Sequence, residues 1–226
     1  YHHAPSGDLD FRGFGDVDTF TVKEYMSWSR AERLRYRIYR HPLVMFGLGP
    51  IYLFGLKHRY PYDIPDHWKK AWKSVWWTNV AIFAAVVLGG TLVGYQRFFL
   101  IQIPIQFAAS SLGIWMFYVQ HQFEHTYWHS HENWDYYDAS LYGSSYLVLP
   151  KVLQWMTSSI GVHHVHHMSA RIPNYKLQQV HDENPEFHGV TKVSFKDTLK
   201  LISLALWDEE NRQLIRFKDL KQLKAA

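Results

Sequence analysis

The chain has 226 residues, 47% of them hydrophobic and 17% aromatic, with a formal net charge of +4 and no cysteine. The missing cysteine excludes disulfides and thiolate metal sites. The basic residues flank two long apolar runs, which reads as lipid-headgroup contact and topology, not as a nucleic-acid surface.

In chain order, the sequence opens on "YHHAPSGDLD" with no initiating Met and no signal peptide, and it reads as the C-terminal part of a longer protein. Residues 1–20 are rich in Gly and Asp and predict an ordered loop. Thr21 to Tyr39 predicts a charged helix, with Thr21 and Glu24 forming a capping box. "PLVMFGLGPIYLFGL" (42–56) is too short to cross a bilayer comfortably and is broken by Gly47, Gly49 and Pro50. It predicts an interfacial or re-entrant segment. "KHRYPYDIPDHWKKAWK" (57–73), with its prolines and aromatics, predicts a chain riding the membrane surface.

From Ser74 to Phe123 the only formal charge is Arg97, which separates the runs 75–95 and 98–120. Each exceeds the roughly 20 residues a helix needs to cross about 30 Å of hydrocarbon, and neither shows the polar stripe of a soluble core helix. The prediction is a transmembrane hairpin. Twelve Lys and Arg precede Ser74, eleven follow Phe123, and one lies in the turn. Both flanks are therefore expected on the cytoplasmic side. Trp72, Trp76, Trp77, Tyr95 and Tyr118 sit near the span ends, where amphipathic rings prefer the headgroup layer.

Beyond the second span, residues 121–138 predict a continuation of its helix into the cytoplasm. Residues 141–167 predict a turn and then a helix started near Pro150. Residues 194–207 predict an amphipathic surface helix begun by Ser194. The expected fold class is an all-α integral membrane protein, a transmembrane helical hairpin with a cytoplasmic helical cap domain. One domain covers 1–226: 1–40 cytoplasmic, 41–73 interfacial, 75–95 and 98–120 transmembrane, and 121–226 cytoplasmic.

Ten of the fifteen histidines cluster at His2/His3, at His121/His125/His129/His131, and at His163/His164/His166/His167. All three groups fall on the side expected to be cytoplasmic, so topology lets them meet. At about 100° per residue, His163, His166 and His167 share an arc of about 100°, and His163, His164 and His167 share one as narrow. Spacing aims three of the four at one target without saying which three; a solvated polar turn is the bland alternative. His121 lies closest to the apolar span, where a polar residue needs a reason. His41, His58, His67, His181 and His188 are isolated and carry no expected site role. Imidazole suits Zn, Fe, Cu and Ni. Six or more imidazoles exceed one tetrahedral ion and suggest a pair of ions with larger coordination numbers. Iron fits that count, although the residues alone do not force it.

"GVHHVHH" followed by "RIPNY", preceded by "VQHQFEHTYW" and "LYGSSYLVLP", resembles the membrane fatty acid desaturases, specifically the acyl-lipid omega-6 (delta-12) type. The similarity runs along nearly the whole chain, from "HHAPSGDLD" to the C-terminal region. It implies a helical membrane fold whose cytoplasmic domain holds two irons on three histidine boxes plus a further histidine late in a span. By this resemblance His163, His166 and His167 form the third box, with His164 outside it. His121 is the extra histidine, and His2 and His3 close the second box. The first box and the early spans around it have no counterpart in the sequence. By resemblance, six of roughly nine expected ligands are therefore present, and such a piece need not assemble a working site.

The implied reaction is O2-dependent insertion of a cis double bond into a membrane-lipid acyl chain. The difficult chemistry belongs to the metals, and electrons come from a separate ferredoxin or haem cytochrome. Glu124 and Asp135 are candidate second-sphere acceptors for ring N–H groups, against the alternative of exposed charge. Within the same chemistry, a hydroxylase, an acetylenase or a carotenoid oxygenase is the rival. From a different class, the rival is a histidine-rich membrane metal carrier, although transporters place ion sites near the midplane.

Overall fold

The computed structural model describes residues 2, 3, 5–12, 16–60, 62 and 64–223, and its contacts divide into two units, Tyr1–Arg40 with Met116–Ala226, and His41–Trp115. In the first unit, strand β1 (Phe20–Thr21) runs into helix α1 (Val22–Ser27). The Thr21–Glu24 capping box forms: Glu24 N donates to Thr21 Oγ1 at 3.1 Å, and Thr21 N to Glu24 Oε2 at 2.7 Å. The single helix expected up to Tyr39 is two helices. Trp28 and Ser29 adopt extended backbone, and Ser29 with Glu32 builds a second capping box that starts α2 (Arg30–Tyr39).

Helix α2 delivers Arg40 into the interior of this unit, where the residue is 4% exposed. Its Nη2 donates to Tyr118 Oη at 3.0 Å, Gln122 Oε1 at 2.8 Å and the Leu204 carbonyl at 2.8 Å. Tyr118 Oη also donates to the Leu204 carbonyl at 2.5 Å. Gln122 reaches on to Thr19 Oγ1. One guanidinium therefore ties together the end of α2, the segment before β1, residues 118–122, and the chain near residue 204.

In the second unit, residues 44–57 are helical but irregular. Two π turns, Val44–Leu48 and Leu53–Lys57, flank α3 (Gly49–Tyr52). Their combined length is about 20 Å at 1.5 Å per residue, short of a crossing. Helices α4 (Lys69–Val93) and α5 (Tyr95–His121) are long and apolar enough to cross a membrane, and only 6% of each apolar window is buried. A one-residue turn at Gly94 joins them, with φ +87°, a conformation that glycine adopts without a Cβ clash. The polar Asn79 in α4 is satisfied by Arg59, accepting from Nη1 at 3.1 Å and donating to the carbonyl at 2.7 Å.

Met116 to His121, the last residues of α5, belong to the first unit. The helix stops at His121 and does not continue to residue 138 as expected. The Ser145 N–H takes the Gln120 carbonyl at 2.9 Å, and residues near 129 pair with the N-terminal segment instead: Leu9 N donates to the His129 carbonyl at 2.9 Å, and His129 N to the Gly7 carbonyl at 3.0 Å. Gly7 has φ +79°, and a Cβ there would meet the Tyr127 carbonyl oxygen at 2.7 Å. Only glycine allows this approach. α6 (Tyr136–Tyr142), capped by Asp135, and β2 (Tyr146–Val148) follow.

Pro150 precedes α7 (Lys151–Met156), as expected, but that helix does not reach residue 167. Ser158 and Ser159 at φ +55° and +56° break it, so the histidine-rich segment sits on its own short helix, α8 (His163–Met168). α9 (Asn174–Glu183), β3 (Lys192–Ser194), α10 (Thr198–Leu201), β4 (Leu204–Asp208), β5 (Gln213–Arg216) and α11 (Leu220–Leu223) complete the chain.

The structure is mostly helical, but the all-α expectation is corrected by two small sheets. β4 pairs in parallel with β1 and antiparallel with β5, and β2 pairs in parallel with β3. The surface helix expected over 194–207 is likewise corrected. Only Thr198–Leu201 is α-helical there, and the "LALWD" run of β4 is buried at all five positions. A short continuous apolar run suits a strand hydrogen-bonded on both edges and covered on both faces. Two apolar clusters support the unit. Tyr25, Tyr36, Leu206, Ile215 and Leu220 form one, and Leu141, Val162, Val165, Leu177, Phe187 and Val190 form the other.

Candidate metal centre

His163 and His167 lie four apart on α8 and therefore share a face; their ring centroids are 4.6 Å apart. His121, at the last position of α5, meets them: His163 Nε2 lies 2.9 Å from His121 Nε2. His2 completes the group, with its Nε2 3.1 Å from His121 Nε2. One ring nitrogen from each of His2, His121, His163 and His167 falls within 4.8 Å of the others. Four imidazole nitrogens gathered this closely could hold a metal ion. His3 and His166 flank the group, their rings 4.6 Å apart, with His3 4.7 Å from His167. All six histidines singled out in the sequence are thus gathered in one region, from positions as far apart as 2 and 167.

The chemistry of these rings suits metal binding. The Gly143 carbonyl, 3.2 Å from His121 Nδ1, can only accept, so Nδ1 carries the proton and Nε2 presents a lone pair toward His2 and His163. Three further ring nitrogens, His2 Nδ1, His163 Nδ1 and His167 Nε2, are buried with no hydrogen-bond partner among the described residues. Native interiors seldom leave such groups unpaired. Burial, and then the neighbouring rings, lowers His2 to about 3 and holds His163 and His167 well below the usual histidine range. Burial also lowers His3 and His166. Each of these shifts favours the uncharged imidazole, the state a metal ligand requires.

The sequence model of the fatty acid desaturase family matches residues 1–196, an interval that holds every histidine of the cluster. The chain belongs to the fatty acid desaturase family. A relative described as a fatty acid desaturase, from Bacillus subtilis (strain 168), is 43% identical over 222 residues. That alignment covers 98% of this chain and 62% of the relative, so the chain spans somewhat less than two thirds of that relative's length.

In this desaturase-family chain the second sphere differs from the expected one. Glu124 is exposed, and its carbonyl takes the Leu214 N–H at 2.6 Å. The Asp135 carboxylate caps α6 through Asp138 N at 3.0 Å. The acceptor fixing His121 is instead the Gly143 backbone, which carries no side-chain signal for a sequence reading to detect. The expected His121/His125/His129 stripe does not form, because the helix ends at His121. His125 is exposed, His129 contacts Arg212, and His131 Nδ1 pairs with Asp8 Oδ2 at 2.7 Å.

His164 points away from the cluster, its Nε2 2.9 Å from His181 Nδ1. His181 is therefore not isolated. It is buried between His164 and Tyr146, with ring centroids 4.9 Å from each. This second pair joins the back of α8 to α9 and lies beside Phe187. A histidine at the third position from the end of a helix gave no hint of that partner.

Proposed function

We propose that the chain carries the metal-binding part of an O2-dependent fatty acyl desaturase that places a cis double bond in a membrane-lipid acyl chain. The observation that carries this reading is the meeting of His2, His121, His163 and His167 within 4.8 Å, inside the region matched by the family. In this reading, His2, His3, His121, His163, His166 and His167 are ligands of a pair of irons. Imidazole-only donors suit iron, and the ring nitrogens gathered within 4.8 Å of one another supply lone pairs for it. The irons, when bound, supply with O2 and two electrons from a separate ferredoxin or haem cytochrome the oxidising power that side chains lack.

The chain's own residues hold and orient. The Gly143 carbonyl keeps the His121 proton on Nδ1, and the apolar contacts of Val162 and Val165 lock α8 so that His163 and His167 face inward. Helices α4 and α5 anchor the protein as a transmembrane hairpin, their exposed Leu, Ile and Phe side chains meeting lipid. Both flanks lie on the cytoplasmic side, under the Lys and Arg distribution.

The test is expression of the complete gene in a host lacking polyunsaturated lipids, followed by gas chromatography and mass spectrometry of its fatty acids. A new cis double bond is expected, at the delta-12 (omega-6) position that "RIPNY" and "QHQFE" imply. A double bond elsewhere rejects the position and keeps the reaction. A hydroxylated or acetylenic product, or metal flux with no lipid product, rejects the reaction.

A further inference from the structure

His2 Nε2 faces His121, and its other ring nitrogen, Nδ1, is buried without a partner among the described residues. Arg12 Nε is buried and unpartnered in the same way, although Nη1 of that guanidinium donates to Glu24 Oε1 at 2.7 Å. Both side chains line a single small cavity together with Ser6, Asp8, Asp16 and Trp128. The space open to a water centre there is about 10 Å³, the size that admits one molecule. A buried water of this kind needs two to four polar partners.

Asp8, Asp16 and Asp18 all border the cavity, and Asp16 is the one that acts electrostatically on His2. Asp8 Oδ1 takes the Asp10 N–H at 2.9 Å, and Asp8 Oδ2 lies 2.7 Å from His131 Nδ1. One oxygen of Asp16 takes the Val17 N–H at 2.7 Å, and the other has no hydrogen bond among the described residues. Asp16 is close enough to His2 for each to act electrostatically on the other.

We infer that one ordered water fills this cavity, accepting from His2 Nδ1–H and Arg12 Nε–H and donating to the second carboxylate oxygen of Asp16. Asp16 is then a positioning residue for His2: the bridge keeps the ring proton on Nδ1, leaves the Nε2 lone pair for metal, and stops the ring from turning. Carboxylates that act on ligating histidines in this way govern metal affinity, typically by about 10- to 100-fold. The inference rests on the metal reading given above, but assigns a residue and a water that reading does not need.

The experiment measures how tightly the complete protein binds Fe(II), by chelator competition, in the wild type and in Asp16→Asn, His2→Ala and the double variant. Asp16→Asn is expected to weaken iron binding about tenfold or more, and to add little once His2 is gone, because its effect passes through that ring. Wild-type affinity in Asp16→Asn overturns the inference. So does an equal loss in the wild-type and His2→Ala backgrounds, which would mark a general structural effect. If Asp16→Asn does not fold, a density map of the wild type that resolves ordered water decides: water density in the cavity supports the bridge, and an empty cavity overturns it. A wild type that binds no iron defeats the metal reading itself, a result distinct from each of these.

Discussion

Replacing His167 with alanine in the complete protein is expected to abolish desaturation and to lower iron affinity more than about 100-fold, beyond the range seen for second-sphere partners. His167 is 1% exposed, its ring lies within 4.9 Å of those of His2, His3, His121 and His163, and its Nε2 has no partner among the described residues. The control is His164→Ala on the same helix, equally buried but turned toward His181 and Phe187. That variant is expected to lower thermal stability while its folded fraction keeps the wild-type iron-to-protein ratio. Iron analysis and thermal unfolding of the purified variants separate the two outcomes. Full activity and full iron content in His167→Ala would refute its assignment as a ligand.

The second large effect belongs to a residue outside the cluster. Arg40→Ala removes the donor shared by Tyr118, Gln122 and the Leu204 carbonyl. Hydrogen bonds from a charged group contribute about 1.5 to 3 kcal/mol each, and the lost side chain leaves a cavity. The Tyr118 and Thr19 hydroxyls still serve the Leu204 carbonyl and Gln122, which limits the net cost to about 3 kcal/mol, or roughly 10 °C for a chain of this size. Arg40→Lys, which retains charge but not the planar fork, is expected to fall between the two. Because Gln122 directly follows His121, the alanine variant is also expected to bind iron less well. Thermal unfolding in detergent checks this, and a shift under about 2 °C would show that the network stabilises little.

Much of the fold was legible where the signal is local. Thr21 and Glu24 announce a capping box, and that box forms. The apolar runs on either side of Arg97 announce two long helices, which follow, although α4 begins at Lys69, before the apolar run does. What escaped is set by partners distant in sequence. "LALWD" looks like part of an amphipathic helix until β1 and β5 take its two edges. Beyond His121 the chain does not continue as a helix: Tyr127 bonds to Tyr142 and His129 pairs with residues 7–9, choices that helix propensity does not encode. Near Pro150 the start of a helix was readable, but its early end at the left-handed Ser158 and Ser159 was not, since serine seldom adopts that conformation.

At the cluster, helical spacing left open which three of the four histidines of α8 share a target. The family resemblance proposed His163, His166 and His167, and the structure puts His164 on the opposite side, against His181. The Gly143 carbonyl and the cavity beside His2 lay beyond any sequence reading, because a backbone acceptor and an enclosed volume leave no residue-type signature.

The most direct measurement is iron content with X-ray absorption spectroscopy on the purified complete protein, repeated on His163→Ala. The expected result is two irons per chain in a nitrogen-rich first shell, with iron lost in the variant. An active wild type that contains no iron, or a variant that retains both metals in an unchanged shell, would contradict it.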